Sequence, residues 1–159
     1  MKKIITLLFV SLFVLTACEG PEGPPGLDAP VVEFFERTVN FNSGNNYAEP
    51  VSIPESIEVS GFDVVQVYIL WGQTENGDDI WRALPQTVQM ADGDLIYNFD
   101  YTIADVLLFM ESLDFDLGTV DPAYTDNQTF RIAIIPSYEA AIMDLNDVSQ
   151  VFKSSIKID

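Results

Sequence analysis

The sequence predicts a mostly β domain, an antiparallel β-sandwich of immunoglobulin-like architecture with one short inserted helix, and three observations carry that expectation. Apolar residues recur with a period of two in short runs, and turn dipeptides such as Asn76-Gly77 and Asp92-Gly93 separate the runs. Phe62 to Trp71 (FDVVQVYILW) is apolar on both alternating faces, which calls for a sheet covered on both sides. No period of 20 to 50 residues recurs, so a repeat architecture is excluded. A single antiparallel sheet with helices on one face is the alternative arrangement.

In chain order, Val31 to Asn42 places Phe35, Val39 and Phe41 on one alternating face and reads as a first strand, followed by a turn at Ser43-Gly44-Asn45-Asn46. Pro50 and Pro54 confine Val51 to Val59 to a sheet edge or an irregular crossing. In the third run Val65, Val67, Ile69 and Trp71 share one face, and Phe62, Val64, Tyr68 and Leu70 the other. Ile80 to Met90 resumes as a strand that Pro85 places at an edge or bulge. Leu95, Tyr97, Phe99 and Tyr101 then alternate as a core face opposite Ile96, Asn98 and Asp100. Thr102 with Asp105 three residues on, and Ile103, Val106, Leu107 and Met110 at helical spacing, predict the inserted helix. Thr129 to Pro136 is a buried-type strand. Asp144 or Asn146 is the expected cap of a short helix through Val148, Val151 and Phe152, and Ile156 and Ile158 form a last short strand or a trailing end.

The amino end is of another kind. Lys2 and Lys3 precede an apolar stretch from Ile4 to Leu15, shorter than the roughly 20 residues of a membrane helix. Leu15-Thr16-Ala17-Cys18 follows, with small residues directly before a cysteine. This is the pattern of a lipoprotein signal: small Thr16 and Ala17 let the scissile bond approach the peptidase, and the Cys18 thiol takes a diacylglyceryl group. The organisation expected is therefore a signal segment over 1–17, a lipidated Cys18 with a Gly/Pro-rich tether over 18–30, and a β-rich domain over 31–159. The glycines at 20, 23 and 26 make only three Gly-X-Y triplets, too few for a collagen triple helix. An extended tether of that length spans on the order of 30 Å.

The whole chain carries 25 acidic residues against seven basic ones, a formal charge of −18. Lys2 and Lys3 leave with the signal, so the mature chain keeps Arg37, Arg82, Arg131, Lys153 and Lys157. Such a surface repels phosphate backbones and argues against a nucleic-acid partner. Cys18 is the only cysteine, so no disulfide is available to the domain and its stability comes from packing.

The run Cys18-Glu-Gly-Pro-Glu-Gly-Pro-Pro-Gly26 resembles the start of uncharacterised lipoproteins of Bacteroidota, called collagen-like from this stretch. The similarity extends through Leu84-Pro85-Gln86-Thr87, Tyr97-Asn98-Phe99-Asp100 and Asp121-Pro122-Ala123-Tyr124. It implies an outer-membrane lipoprotein without a catalytic residue to carry over. Glu19 and Glu22 are separated by Gly20 and Pro21, which leaves a periplasmic and a surface-facing location both open.

Histidine is absent, which removes Ser-His-Asp and Cys-His catalysis and the usual general base near neutral pH. Neither GxGxxG nor GxxxxGK[ST] occurs, so dinucleotide and P-loop chemistry have no motif. A hydrolase working through paired carboxylates is the remaining enzymatic alternative. Asp114, Asp116, Asp121 and Asp126 cluster within one loop and make a candidate weak calcium site in a calcium-stabilised, adhesion-type domain, although the spacing departs from an EF-hand and a solvated acidic loop is the simpler reading. Glu75, Asp78 and Asp79 form a second acidic group in the hairpin. Trp71 and Trp81 flank that hairpin and together are a candidate platform for a sugar ring or a peptide; core packing is the simpler reading of both, and Trp81 is the one kept as the candidate ligand-binding residue. The function expected is a non-catalytic binding or structural module on a lipid tether, with a protein or glycan partner and no cofactor unless calcium.

Overall fold

The computed structural model describes residues 31–159. The expected signal segment, Cys18 and the Gly/Pro-rich stretch lie outside the described residues. Within them, β1 (Glu33–Val39), β3 (Val64–Gln73), β4 (Asp79–Ala83), β8 (Gln128–Ile135) and β9 (Ile156–Lys157) form a five-stranded sheet ordered β4-β3-β8-β1-β9. The second sheet contains β2 (Ala48–Ser52), β5 (Gln86–Met90), β6 (Gly93–Tyr101) and β7 (Asp105–Glu111), ordered β2-β7-β6-β5. Neighbours are antiparallel except β1 and β9, which pair in parallel over two residues. Three one-turn helices, α1 (Pro122–Thr125), α2 (Ser137–Ala140) and α3 (Val148–Phe152), and two 3-10 turns, Ser43–Asn45 and Leu117–Thr119, complete the described chain.

The sandwich follows from period-two patterning. Phe35, Val67 and Ile132 of the five-stranded sheet meet Leu95, Tyr97 and Leu108 of the other, all six fully buried in one cluster. The apolar outer face of β3 and β8, carrying Tyr68, Ala133 and Ile135, is covered by the segment that holds α2 and α3, with Val151 buried against it. The sheet that had to be covered twice is covered twice: by its partner sheet inside and by short helices outside. Pro50 lies in β2, an edge strand. Pro85 lies where the chain leaves β4, at the edge of one sheet, for β5, at the edge of the other.

Several expectations are corrected. Residues 102–110 do not form a helix. Thr102 and Asp105 close a tight turn, with Thr102 N–H donating to the Asp105 carbonyl at 2.8 Å and Thr102 Oγ1 to Asp105 Oδ1 at 2.6 Å, and β7 follows. Val106, Leu108 and Met110 point into the core, and pairing on both sides with β2 and β6 outweighs any local helical preference. The short inserted helix is α1 instead, in the loop after β7. Asp147, rather than Asp144 or Asn146, caps α3, its carboxylate accepting from the N–H groups of Ser149 and Gln150. Phe62 stands outside β3 and is exposed, and Tyr101, at the far end of the β6 core face, is exposed as well.

Register defines two ends. Glu33 opposite Ile134, Val64 opposite Ile135, and Ser52 opposite Asp105 gather the start of β1 and β3, the end of β2 and β8, and the β6–β7 turn at a proximal end. The chain enters the sandwich there. The β3–β4 and β5–β6 hairpins and the loop from Ser112 to Asn127 lie at the opposite, distal end.

Candidate functional site

The distal loop is ordered by its own aspartates. Asp116 caps a 3-10 turn at Leu117–Thr119, its Oδ1 accepting from Gly118 N–H at 2.8 Å. Asp121 caps α1 through Ala123 N–H at 2.9 Å, with Pro122 at the first helical position. Asp114 Oδ2 accepts from Asp94 N–H at 3.0 Å and ties the loop to the β5–β6 hairpin. That contact requires Gly93: its φ is 138°, and a Cβ there would overlap the Asp114 side chain. Asp126 Oδ1 accepts from Thr125 Oγ1 at 3.1 Å. The four candidate calcium ligands thus hold four separate donors. Among the described residues no three acidic, histidine or cysteine side chains converge as a ligand set.

The loop is fastened to the core from below. Tyr97, fully buried on β6, donates its hydroxyl to the carbonyl of Tyr124 at 2.6 Å, and burial pushes its phenol well above the ordinary value. Phe115, Val120 and Tyr124 pack down onto the main cluster. Between them, Met90 and the carboxylates of Asp92 and Asp121, a cleft of about 110 Å³ opens at the distal end. Its lining is mostly apolar, with Asp92, Thr119 and Asp121 as the polar members. Its volume is small beside the several hundred Å³ of most small-molecule sites.

Trp71 and Trp81 do not form one platform. Alternation along β3 puts Trp71 against the main cluster, with the Arg82 guanidinium 4.0 Å from its ring, while Trp81, opposite Leu70, lies on the outer face of the sheet. There the Arg131 guanidinium stands 4.0 Å from the Trp81 ring, 4.9 Å from Phe34 and 4.8 Å from Phe152. Arg131 Nη2 reaches Glu36 Oε1 at 2.7 Å, and Lys157 Nζ reaches Glu36 Oε2 at 2.7 Å. Burial raises the Glu36 carboxyl, but the hydrogen bonds from Lys157 and Arg131 outweigh it and hold the group below its ordinary range. This charged cluster was not read from the sequence. Its signal was an arginine at an outward position of an otherwise apolar strand, where a covered face demands a carboxylate and flat rings.

Glu75, Asp78 and Asp79 are exposed around the β3–β4 hairpin. Asp79 accepts from Gln73 Nε2 at 2.9 Å and Asp78 from Thr74 Oγ1 at 3.4 Å. A second cleft, of about 190 Å³, opens between Val31–Val32 and the α2–α3 segment. No described helix is long and apolar enough to cross a membrane. Fold and site together define a two-sheet β-sandwich with a small cleft at its distal end, lined by apolar side chains and two aspartates. No family model, curated protein or solved structure matches the chain.

Proposed function

We propose that this chain is a lipid-anchored outer-membrane protein of the cell envelope that acts as a non-catalytic binding module. The observation that carries the binding role is the distal cleft, placed at the opposite end of the sandwich from the point where the chain enters it. The Leu15-Thr16-Ala17-Cys18 pattern supports the anchor, and the similarity to Bacteroidota lipoproteins supports the location. A lining that combines Phe115, Val120 and Tyr124 with Asp92 and Asp121 suits a ligand with an apolar stem and a positive end, such as a lysine or arginine side chain of a partner protein. The net charge of −18 favours the same partners and disfavours nucleic acid.

Amide shift mapping with short lysine- and arginine-containing peptides tests the reading. Perturbations centred on Met90, Phe115 and Tyr124 are expected, reduced in Asp92→Asn and abolished in Thr119→Trp, which fills the mouth. Shifts confined to other surfaces, or insensitive to both substitutions, contradict it.

A further inference from the structure

We propose that the proximal end of the sandwich is a membrane-contacting face that lays Phe62, Tyr101 and Ile103 against the headgroup region of the bilayer. The proposal rests on the reading of Cys18 as the lipid anchor. Phe62 is 84% exposed, Ile103 66% and Tyr101 49%; Leu113 and Ile142 are as exposed elsewhere, and what distinguishes these three is that they share the end at which the chain enters the sandwich. They reach the same end from different parts of the chain: Phe62 from the turn before β3, Tyr101 and Ile103 from the β6–β7 hairpin. The segment leading to Phe62 is docked on that hairpin through Ile53 N–H to the Ala104 carbonyl at 2.9 Å.

Neither turn needs its apolar residue. Ser60 N–H donates to Asp63 Oδ2 at 2.8 Å and Phe62 N–H to Ser60 Oγ at 3.1 Å, so polar groups close the first turn. Thr102 Oγ1 accepts from Ala104 N–H at 3.1 Å and donates to Asp105 at 2.6 Å, which closes the second. The apolar side chain at each tip is presented by a rigid frame and takes no part in holding it. A tip of this design fits an interface that accepts a ring or a branched chain to shallow depth, with Tyr101 at the level where tyrosine concentrates in membranes.

The place of the anchor selects the bilayer as the occupant. β1 begins at the proximal end, and twelve residues separate Cys18 from Val31. Fully extended they reach on the order of 40 Å, and the ten-residue β3 adds roughly 33 Å to the distal end. The distal end can therefore reach the lipid only with those twelve residues drawn out nearly to their full reach, whereas the proximal end reaches it without that cost. Glu58, Asp63, Asp100 and Asp105 flank the tips and disfavour anionic headgroups, so the surface suits zwitterionic lipid. Contact in this orientation turns the distal cleft away from the membrane.

The acylated full-length mature protein, reconstituted in phosphatidylcholine–phosphatidylethanolamine vesicles, provides the test. With Cys18 blocked by lipid, Ile103→Cys, Phe62→Cys or Leu113→Cys each supplies one thiol for a nitroxide; Leu113 is 99% exposed in the distal loop and serves as the reference. Labels at 103 and 62 are expected to collide severalfold less with a water-soluble nickel chelate, and more with membrane-dissolved oxygen, than the label at 113. Vesicle-bound protein with all three labels equally open to nickel overturns the proposal and leaves the anchor intact. Protection lost on dilution to one protein per vesicle overturns it in favour of contact between copies. A protein that does not float with the vesicles removes the anchor, and the proposal with it.

Discussion

Removing the Tyr97 hydroxyl deletes one of two bonds by which buried residues hold the wall of the cleft, the other being Phe41 N–H to the Thr125 carbonyl at 2.9 Å. Tyr124 lies in the single turn of α1, and no later N–H of so short a helix reaches its carbonyl. The Tyr97 hydroxyl reaches it at 2.6 Å. Tyr97→Phe deletes the donor, leaves the ring in place and strands the acceptor. A stranded acceptor of this kind costs about 1–2 kcal/mol. For a domain of this size that is a fall in Tm of roughly 4–10 °C. Thermal and urea unfolding measure the loss, with Tyr138→Phe, at an exposed position, as a control that should stay within about 0.5 kcal/mol. Hydrogen exchange adds the local readout: the Tyr124–Asp126 amides should exchange faster, while those of β8 shift only with global stability. A Tyr97→Phe protein as stable as the control, with α1 unchanged, refutes the argument that this bond fastens the loop.

Other consequences follow from the same geometry. Gly93→Ala meets both a positive φ and the Asp114 side chain, so it should destabilise by about 1–3 kcal/mol, and adding Asp114→Gly should recover only part of that, as a double-mutant cycle in urea would show. Glu36 is held below its ordinary value of 4.5, so the unfolded chain takes up the proton first and stability should fall as pH drops below that value; Glu36→Gln should flatten this limb of an acid-unfolding series. Burial raises the phenols of Tyr68 and Tyr97 above the ordinary 10.0, so the unfolded chain loses those protons first and stability should fall above pH 10, read as tyrosinate absorbance appearing together with unfolding. Because Asp114, Asp116, Asp121 and Asp126 each hold a different donor, calcium should raise Tm no more than magnesium at matched ionic strength; a calcium-specific rise lost in Asp116→Asn with Asp121→Asn would reverse this.

The strands and the sandwich were legible because burial imposes a period of two, and because Phe62 to Trp71 named a sheet covered on both faces. The layer supplying the second cover was less legible: α2 and α3 are one-turn helices, too short for a periodic pattern, and they gain their order from the outer face they cover. Residues 103–110 satisfied two templates at once. Val106 and Met110 belong to both, Leu107 only to the helical face and Leu108 only to the strand face; distant pairing with β2 and β6 decided between them. The Thr102–Asp105 signal was real, but it closes a turn as readily as it caps a helix. Trp81 pairs with Leu70, one residue and so one face away from Trp71, and that register arises from strand pairing, so a joint platform was a reading of adjacency alone. The aspartates of the distal loop were found at the right place in the chain, and the Asp116-Leu-Gly and Asp121-Pro spacings were already those of caps. The distal cleft was not found, since it is assembled from the β5–β6 hairpin and a loop that begins some twenty residues later.

Attachment of the proposed binding domain to a membrane at Cys18 is measured most directly by mass spectrometry of the amino-terminal peptide from the membrane fraction. The predicted result is a chain that begins at Cys18 and carries acyl chains on it, with Cys18→Ser left uncut or displaced from the membrane. A mature chain that begins elsewhere, or a free thiol at Cys18 on membrane-bound protein, would contradict it.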